Sequence, residues 1–143
     1  MSGEPGREFV DTNVLVYAHD RSAGTKQAQA AALVERLWAS GAGCLSVQVL
    51  QEFFVTITRK VPHVLDAAAA ESLVRDFTSW TVFAPDEDDV VAAIALHRRA
   101  GIAFWDAMVL HSAAAMTCDV VWSEDLNPGQ SFEGVTVRSP FGE

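Results

Sequence analysis

Glu8-Phe9-Val10-Asp11-Thr12-Asn13-Val14-Leu15-Val16-Tyr17 decides how this chain is read. A short β-type run ends on a carboxylate, and the residues that follow read as the start of a helix. In open α/β sheets ligands gather at the carboxyl ends of strands, so Asp11 is placed for chemistry. Asp ahead of an apolar run is equally a common helix N-cap, and this segment alone leaves both roles open.

The pattern recurs near the other end of the chain. Asp119-Val120-Val121-Trp122 is a second apolar strand, and it runs into Ser123-Glu124-Asp125-Leu126-Asn127-Pro128-Gly129, a loop rich in oxygen ligands and turn residues. Strand alternation does not choose between Glu124 and Asp125. Asn127 offers a further ligand or a plain turn. Asp106, in Phe104-Trp105-Asp106-Ala107, shares a helical face with Val109, Leu110 and Ala113 in a helix running to about Ala115. A carboxylate on that stripe is costly unless a cation or hydrogen bonds compensate it, although a place in the first helical turn is also favourable. Glu52 lies with Gln48, Thr56 and Arg59 on a polar stripe, opposite an apolar face of Leu50, Phe53, Phe54 and Ile57. Such a stripe faces water, and a site cleft is wet too.

Between these points strands and helices alternate. Asn13 to His19 reads as a short helix broken by Asp20-Arg21-Ser22-Ala23-Gly24, followed by an amphipathic helix from about Lys26 to Ala39 with Ala30, Leu33, Val34, Leu37 and Trp38 on one face. Gly43-Cys44-Leu45 is a strand, and Ser46 caps the helix carrying Glu52, which Pro62 ends. Asp66 caps an alanine-rich helix to about Trp80, Thr81-Val82-Phe83 is a strand, and Asp86 with Asp89 opens a helix through Arg99. Phe132 to Val137 reads as a small edge strand. This alternation indicates an α/β sandwich with a mainly parallel central sheet.

Val10-Asp11-Thr12-Asn13, Gln51-Glu52-Phe53, Phe104-Trp105-Asp106-Ala107 and Ser123-Glu124-Asp125-Leu126, in that order, resemble the signature of the PIN-domain family, and more narrowly its small VapC-type toxins. The resemblance spans Glu8 to about Val137. It implies a PIN-like α/β/α sandwich and a metal-dependent endoribonuclease of structured RNA such as tRNA, the toxin of a toxin–antitoxin pair. It further implies a homodimer and an antitoxin partner whose C-terminal segment covers the active-site groove. Asp11, Glu52, Asp106 and Asp125 would be the catalytic, metal-holding set, and hard oxygen ligands without Cys or His favour Mg²⁺, with Mn²⁺ as a substitute. Thr12, Asn13 and Ser123 would orient those carboxylates. Arg21, Lys26, Arg59 and Lys60 are the basic residues expected to meet RNA phosphates, and Trp105 is a packing residue that is also able to stack on a base. The alternative is a PIN-like module that binds RNA or protein without cutting.

Composition narrows the choices. The 143 residues suit one domain, taken as 8–143 behind a short flexible lead at 1–7 that lacks the apolar stretch of a secretory signal. No apolar run approaches a membrane span, and Cys44 and Cys118 sit among apolar neighbours as free thiols do in a reducing compartment, so a cytoplasmic location is expected. A formal net charge of −9 argues against an RNA partner, which ordinarily calls for a basic footprint, unless cations neutralise the acids locally. No Gly-x-Ser-x-Gly elbow accompanies the histidines and no Gly-rich phosphate loop is present, which sets aside serine hydrolases and nucleotide-driven enzymes. Asp86-Glu87-Asp88-Asp89 lacks the glycine of a calcium loop.

Overall fold

A computed structural model describes residues 6–59 and 65–142. Among them the elements run β1 (Glu8–Val10), α1 (Thr12–Ala18), a 3₁₀ turn (Arg21–Ala23), α2 (Thr25–Ser40), β2 (Gly43–Ser46), α3 (Val47–Ile57), α4 (Ala67–Phe77), β3 (Thr81–Phe83), α5 (Glu87–Ala100), α6 (Phe104–Ala115), β4 (Val120–Trp122), β5 (Ser131–Phe132) and β6 (Val135–Arg138). Side-chain caps start α3, α4 and α5 where the sequence signals them. The Ser46 hydroxyl accepts from the Val49 amide at 3.3 Å, and Asp66 accepts from Ala69 at 2.8 Å. Asp86 and Asp89 form a reciprocal capping box at 3.0 and 2.9 Å. Caps of this kind each contribute about 1 kcal/mol.

The strands order as β3-β2-β1-β4-β6-β5, parallel throughout except for the antiparallel β5. From β1 the chain steps outward on one side to β2 and β3, then returns past β1 to β4. Right-handed crossovers therefore place α1 to α4 on one face and α5 with α6 on the other, giving the α/β/α sandwich. Packing follows this division, with α1 against α2 and α3, α3 against α4, and α5 against α6. The strand order reverses between β1 and β4, and Val10 pairs with Trp122 at their carboxyl ends. Such a switch point leaves a crevice where loops diverge, and that is where α/β sheets hold ligands.

Phe9, Val10, Leu45, Val121, Val135 and Val137 are buried in the sheet, and Leu37, Phe53, Phe77 and Leu110 cover it. Phe53 and Phe77 meet edge to face at 6.2 Å, with His19, Trp38 and Trp80 completing an aromatic cluster. Gly43 is required there, because a Cβ would meet the Trp80 ring at 2.5 Å.

Several expectations need correction. Phe132 to Val137 is not one edge strand: Glu133 and Gly134, both at positive φ, turn the chain so that β5 is the edge and β6 an interior neighbour of β4. This two-residue turn matches the twist of a hairpin. In α3 the buried face is Gln48, Val49, Phe53 and Ile57, whereas Phe54 is exposed and Leu50 half-buried, because the helix rolls its polar edge inward. Trp38 is exposed and stacks at its rim on Phe77, 5.5 Å away, instead of entering the core. The alanine-rich helix stops at Phe77, short of Trp80. Lys60 and the Val61-Pro62-His63 stop, like the first five residues of the proposed lead, lie outside the described residues. Cys44 and Cys118 are both free and buried. Among the described residues no helix is long and apolar enough to cross a membrane.

Candidate functional site

β1 delivers Asp11 to the switch point. The Asp11 amide donates to the Trp122 carbonyl at 2.9 Å, which places Ser123 and its loop beside it. Asp11 is buried, and its side chain accepts from the Thr12 amide at 2.8 Å and the Ser123 hydroxyl at 2.8 Å. It therefore caps α1 at the carboxyl end of β1. Burial first, and the nearby charges of Asp125 and Glu52 after it, push the Asp11 carboxyl up to about 6 against the pull of the Ser123 and Thr12 bonds.

Asn13 sits at the centre. Its amide nitrogen lies 3.1 Å from Asp125 Oδ2 and 3.4 Å from both Asp11 Oδ2 and Ser123 Oγ, and its amide oxygen accepts from the Glu124 backbone at 3.1 Å. Ser123 Oγ also accepts from the Asp125 and Leu126 amides at 3.2 and 3.3 Å. These bonds tie the end of β4 to the start of α1. The Thr12 hydroxyl donates to Glu52 Oε1 at 2.8 Å, which brings α3 to the same place.

Asp106 lies in the first turn of α6, whose N-cap is Ala103 without a side-chain bond, so capping does not account for it. It is half-buried and accepts no hydrogen bond from any described residue. Burial, then the charges of Asp125 and Glu52, raises its carboxyl above the usual range. Asp125 and Glu52 thus act on both Asp11 and Asp106. Among the described residues no three His, Cys, Asp or Glu side chains are gathered closely enough to hold a cation as they stand. The donor set still suits Mg²⁺, which takes one or two carboxylates and fills its remaining positions with waters.

A groove of ≈ 570 Å³ opens here, lined by Thr12, Asn13, Val16, Tyr17, Gln51, Glu52, Val55, Thr56, Glu124 and Asp125. Among the described residues no Lys or Arg is in this lining. Lys26 is bonded to Glu124, which also accepts from the Tyr17 hydroxyl at 2.7 Å. The Lys26 ammonium, with Tyr17, holds the Glu124 carboxyl below its ordinary range. Glu124 is therefore turned away from Asp11, Glu52 and Asp106, while Asp125 joins Asn13. Arg21 and Arg59 are exposed outside the lining, and Asn127 is exposed without a bond to the site. Trp105 is 59% exposed, contrary to the packing role expected of it.

Gln48 escaped the sequence reading. It is buried, and its amide nitrogen lies 3.5 Å from both Glu52 Oε2 and the Trp105 carbonyl, linking α3 to the start of α6. The available signal was its place one turn before Glu52 on the same polar stripe. His111 is half-buried and pairs with Asp89 at 2.8 Å, away from the acids.

The sequence matches the model of the family described as PIN domain over residues 9–129. No curated protein matches the chain. Among solved structures, a toxin–antitoxin complex from Klebsiella pneumoniae is similar, with a TM-score of 0.69 and 14% identity over 95% of this chain and 99% of that one. VapC20 of Mycobacterium tuberculosis, described as a sarcin-ricin loop cleaving toxin, gives 0.62 and 23% over 80% and 86% of the two chains. DNA-bound VapBC from Salmonella typhimurium gives 0.65 and 16% over 95% and 99%.

Proposed function

Since the chain belongs to the PIN-domain family, we propose that it is a Mg²⁺- or Mn²⁺-dependent endoribonuclease, the toxin of a toxin–antitoxin pair, acting in the cytoplasm on structured RNA such as tRNA. The observation that supports this reading is that Asp125 and Glu52, both in the groove lining, lie near enough to Asp11 and to Asp106 to add to burial in raising those two carboxyls. Crowded carboxylates of this kind are relieved by a cation.

Asp11, Glu52, Asp106 and Asp125 are the residues proposed to hold the cation. When bound, it would supply Lewis-acid polarisation of the scissile phosphate and a more acidic water as nucleophile. The protein's own part is orientation. Asn13 sets Asp11 and Asp125 against each other, Thr12 turns Glu52 inward, and Ser123 fixes Asp11. Among the described residues none donates a hydrogen bond to Asp106.

The absence of Lys and Arg from the described groove lining favours an RNA held first through the cation, with Arg21 and Arg59 as outlying phosphate contacts. The same acidic groove, with Val16 and Val55 in its wall, suits a basic, partly apolar antitoxin segment. Val90, Val91 and Ile94 form an exposed apolar face on α5 that supports the proposed homodimer.

A second reading, a PIN module that binds without cutting, is favoured by the spread of the acid side chains, which gather no ready-made cation site among the described residues. Cleavage of total tRNA by the antitoxin-free chain, with Mg²⁺ or Mn²⁺, distinguishes the two. Cutting that is lost with chelator and with Asp106→Asn supports the nuclease. No cutting by folded protein shown to bind Mn²⁺ supports the binding module, and full activity of Asp106→Asn removes the proposed site.

A further inference from the structure

Asp125 is exposed on a loop, yet its carboxylate is held over Asn13 at 3.1 Å. One hydrogen bond to an amide is a weak restraint on an exposed acid, so the direction of its side chain must come from the backbone around it. That backbone is fixed at two neighbouring points. The Glu124 amide donates to Asn13 Oδ1 at 3.1 Å, and the Asp125 amide donates to Ser123 Oγ at 3.2 Å. The Glu124 side chain is held separately: the Tyr17 hydroxyl donates to Oε1 at 2.7 Å and Lys26 bonds to Oε2.

Asn13 and Tyr17 are one turn apart on α1, so one face of that helix receives both the backbone and the side chain of Glu124. Lys26, at the start of α2, closes the other side, its ammonium 5.1 Å from the Tyr17 ring centroid and 5.3 Å from that of Phe141. Phe141 meets Tyr17 edge to face at 5.2 Å. The ammonium, carboxylate and two aromatic rings form a connected group with each member touching at least two others.

We propose that Tyr17 and Lys26 are positioning residues that grip Glu124 and thereby fix the Ser123–Asp125 peptides, aiming Asp125 at Asn13 and keeping Glu124 out of the acidic set. The catalytic consequence rests on the nuclease reading above; the mechanical one does not. Lys26 is then committed to the loop and is not an RNA phosphate contact.

Amide hydrogen exchange on the full metal-free chain tests the grip directly, beside kcat and KM for Mn²⁺-supported tRNA cleavage. In the double variant Tyr17→Phe, Lys26→Met, exchange at the Glu124 and Asp125 amides should rise about tenfold, the effect of losing hydrogen bonds to a charged group, with Val120–Trp122 unchanged. kcat should fall about tenfold with KM for RNA unchanged. Glu124→Gln, which keeps an acceptor for Tyr17, should lie between the double variant and the wild type. Should the double variant melt out, Tyr17→Phe alone retains the ring against Phe141 and carries the same expectation at smaller amplitude. Wild-type exchange in the variants overturns the proposal. Raised KM with unaltered kcat in Lys26→Met overturns the assignment of Lys26 and returns it to the RNA. If the wild type cuts no RNA, the nuclease reading fails separately, while the exchange rates still decide the grip.

Discussion

Replacing Asp11 by Asn should remove a loss of stability that the cation-free protein suffers as pH rises from about 4 to 7. Asp11 is 7% exposed, and its carboxyl is raised from its ordinary 3.8 to about 6, chiefly by burial. Between those values the unfolded chain has released a proton that the folded chain retains. Stability from this group is therefore fully present below about pH 4 and is lost as pH rises through about 6. At roughly 1.4 kcal/mol for each pH unit between the two values, the loss is about 3 kcal/mol. Glu8 and Glu124 are held low and act in the opposite sense as pH falls, so the wild-type curve alone does not isolate Asp11. The difference between wild type and Asp11→Asn does, because an amide does not titrate. Urea unfolding of both proteins in chelator at pH 4, 5, 6 and 7 should show the wild type losing about 2.4 kcal/mol relative to the variant across the series. Any constant offset from rearranged bonds to Ser123 and Thr12 cancels in that slope. Adding Mn²⁺ at pH 7 to about a hundred times its Kd should restore about 2.7 kcal/mol to the wild type and nothing to the variant. Parallel curves, within about 0.5 kcal/mol from pH 4 to 7, would refute the argument that burial strains the Asp11 charge.

Other expectations follow from individual contacts. Asn13→Ala removes the amide joining Asp11 and Asp125 and should lower Mn²⁺ affinity or cleavage by about 10- to 100-fold, measured by titration calorimetry and tRNA cutting; unchanged values in both would remove Asn13 from the site. Phe53→Ala empties a fully buried position against Phe77 and His19 and should cost about 3 to 5 kcal/mol in urea unfolding, a loss under about 1 kcal/mol being incompatible with the packing. If Arg59 meets a phosphate, Arg59→Gln should reduce the slope of log affinity for RNA against log salt by about 1, and an identical slope would assign it to the free surface.

Strand ends were the most legible part of this chain. Phe9-Val10-Asp11 and Val121-Trp122-Ser123 announce, by apolar runs stopping on oxygen ligands, two strand ends placed for chemistry, whereas their adjacency at a switch point depends on a strand order that sequence pattern does not carry. Helix starts were equally plain, since Ser46, Asp66 and Asp86 cap through bonds spanning three residues. What escaped depends on distant residues. Periodicity put Phe54 in the core and Gln48 in water, because it does not carry the roll of α3 against α1 and α6. The Glu124 side chain answers to Tyr17, 107 positions away, so alternation near β4 had no means of separating it from Asp125. The hairpin at Glu133-Gly134 did carry a local sign, a two-residue turn with glycine between β-type runs, that a single Phe132 to Val137 strand passed over.

The adjacency of β1 and β4 has a consequence for how the chain is made. Ser123 bonds Asp11 across 112 positions, and the edge of β1 beside Asp11 is covered only when Val120–Trp122 pairs with it. A growing polypeptide that has passed Glu52 and even Asp106 still lacks Ser123, Asp125 and the strand that brings them to Asn13. The crevice therefore exists only after residues 120–125 have been made and paired with β1, so a chain interrupted before them would carry Asp11, Glu52 and Asp106 without the strand that brings Ser123 and Asp125 to them.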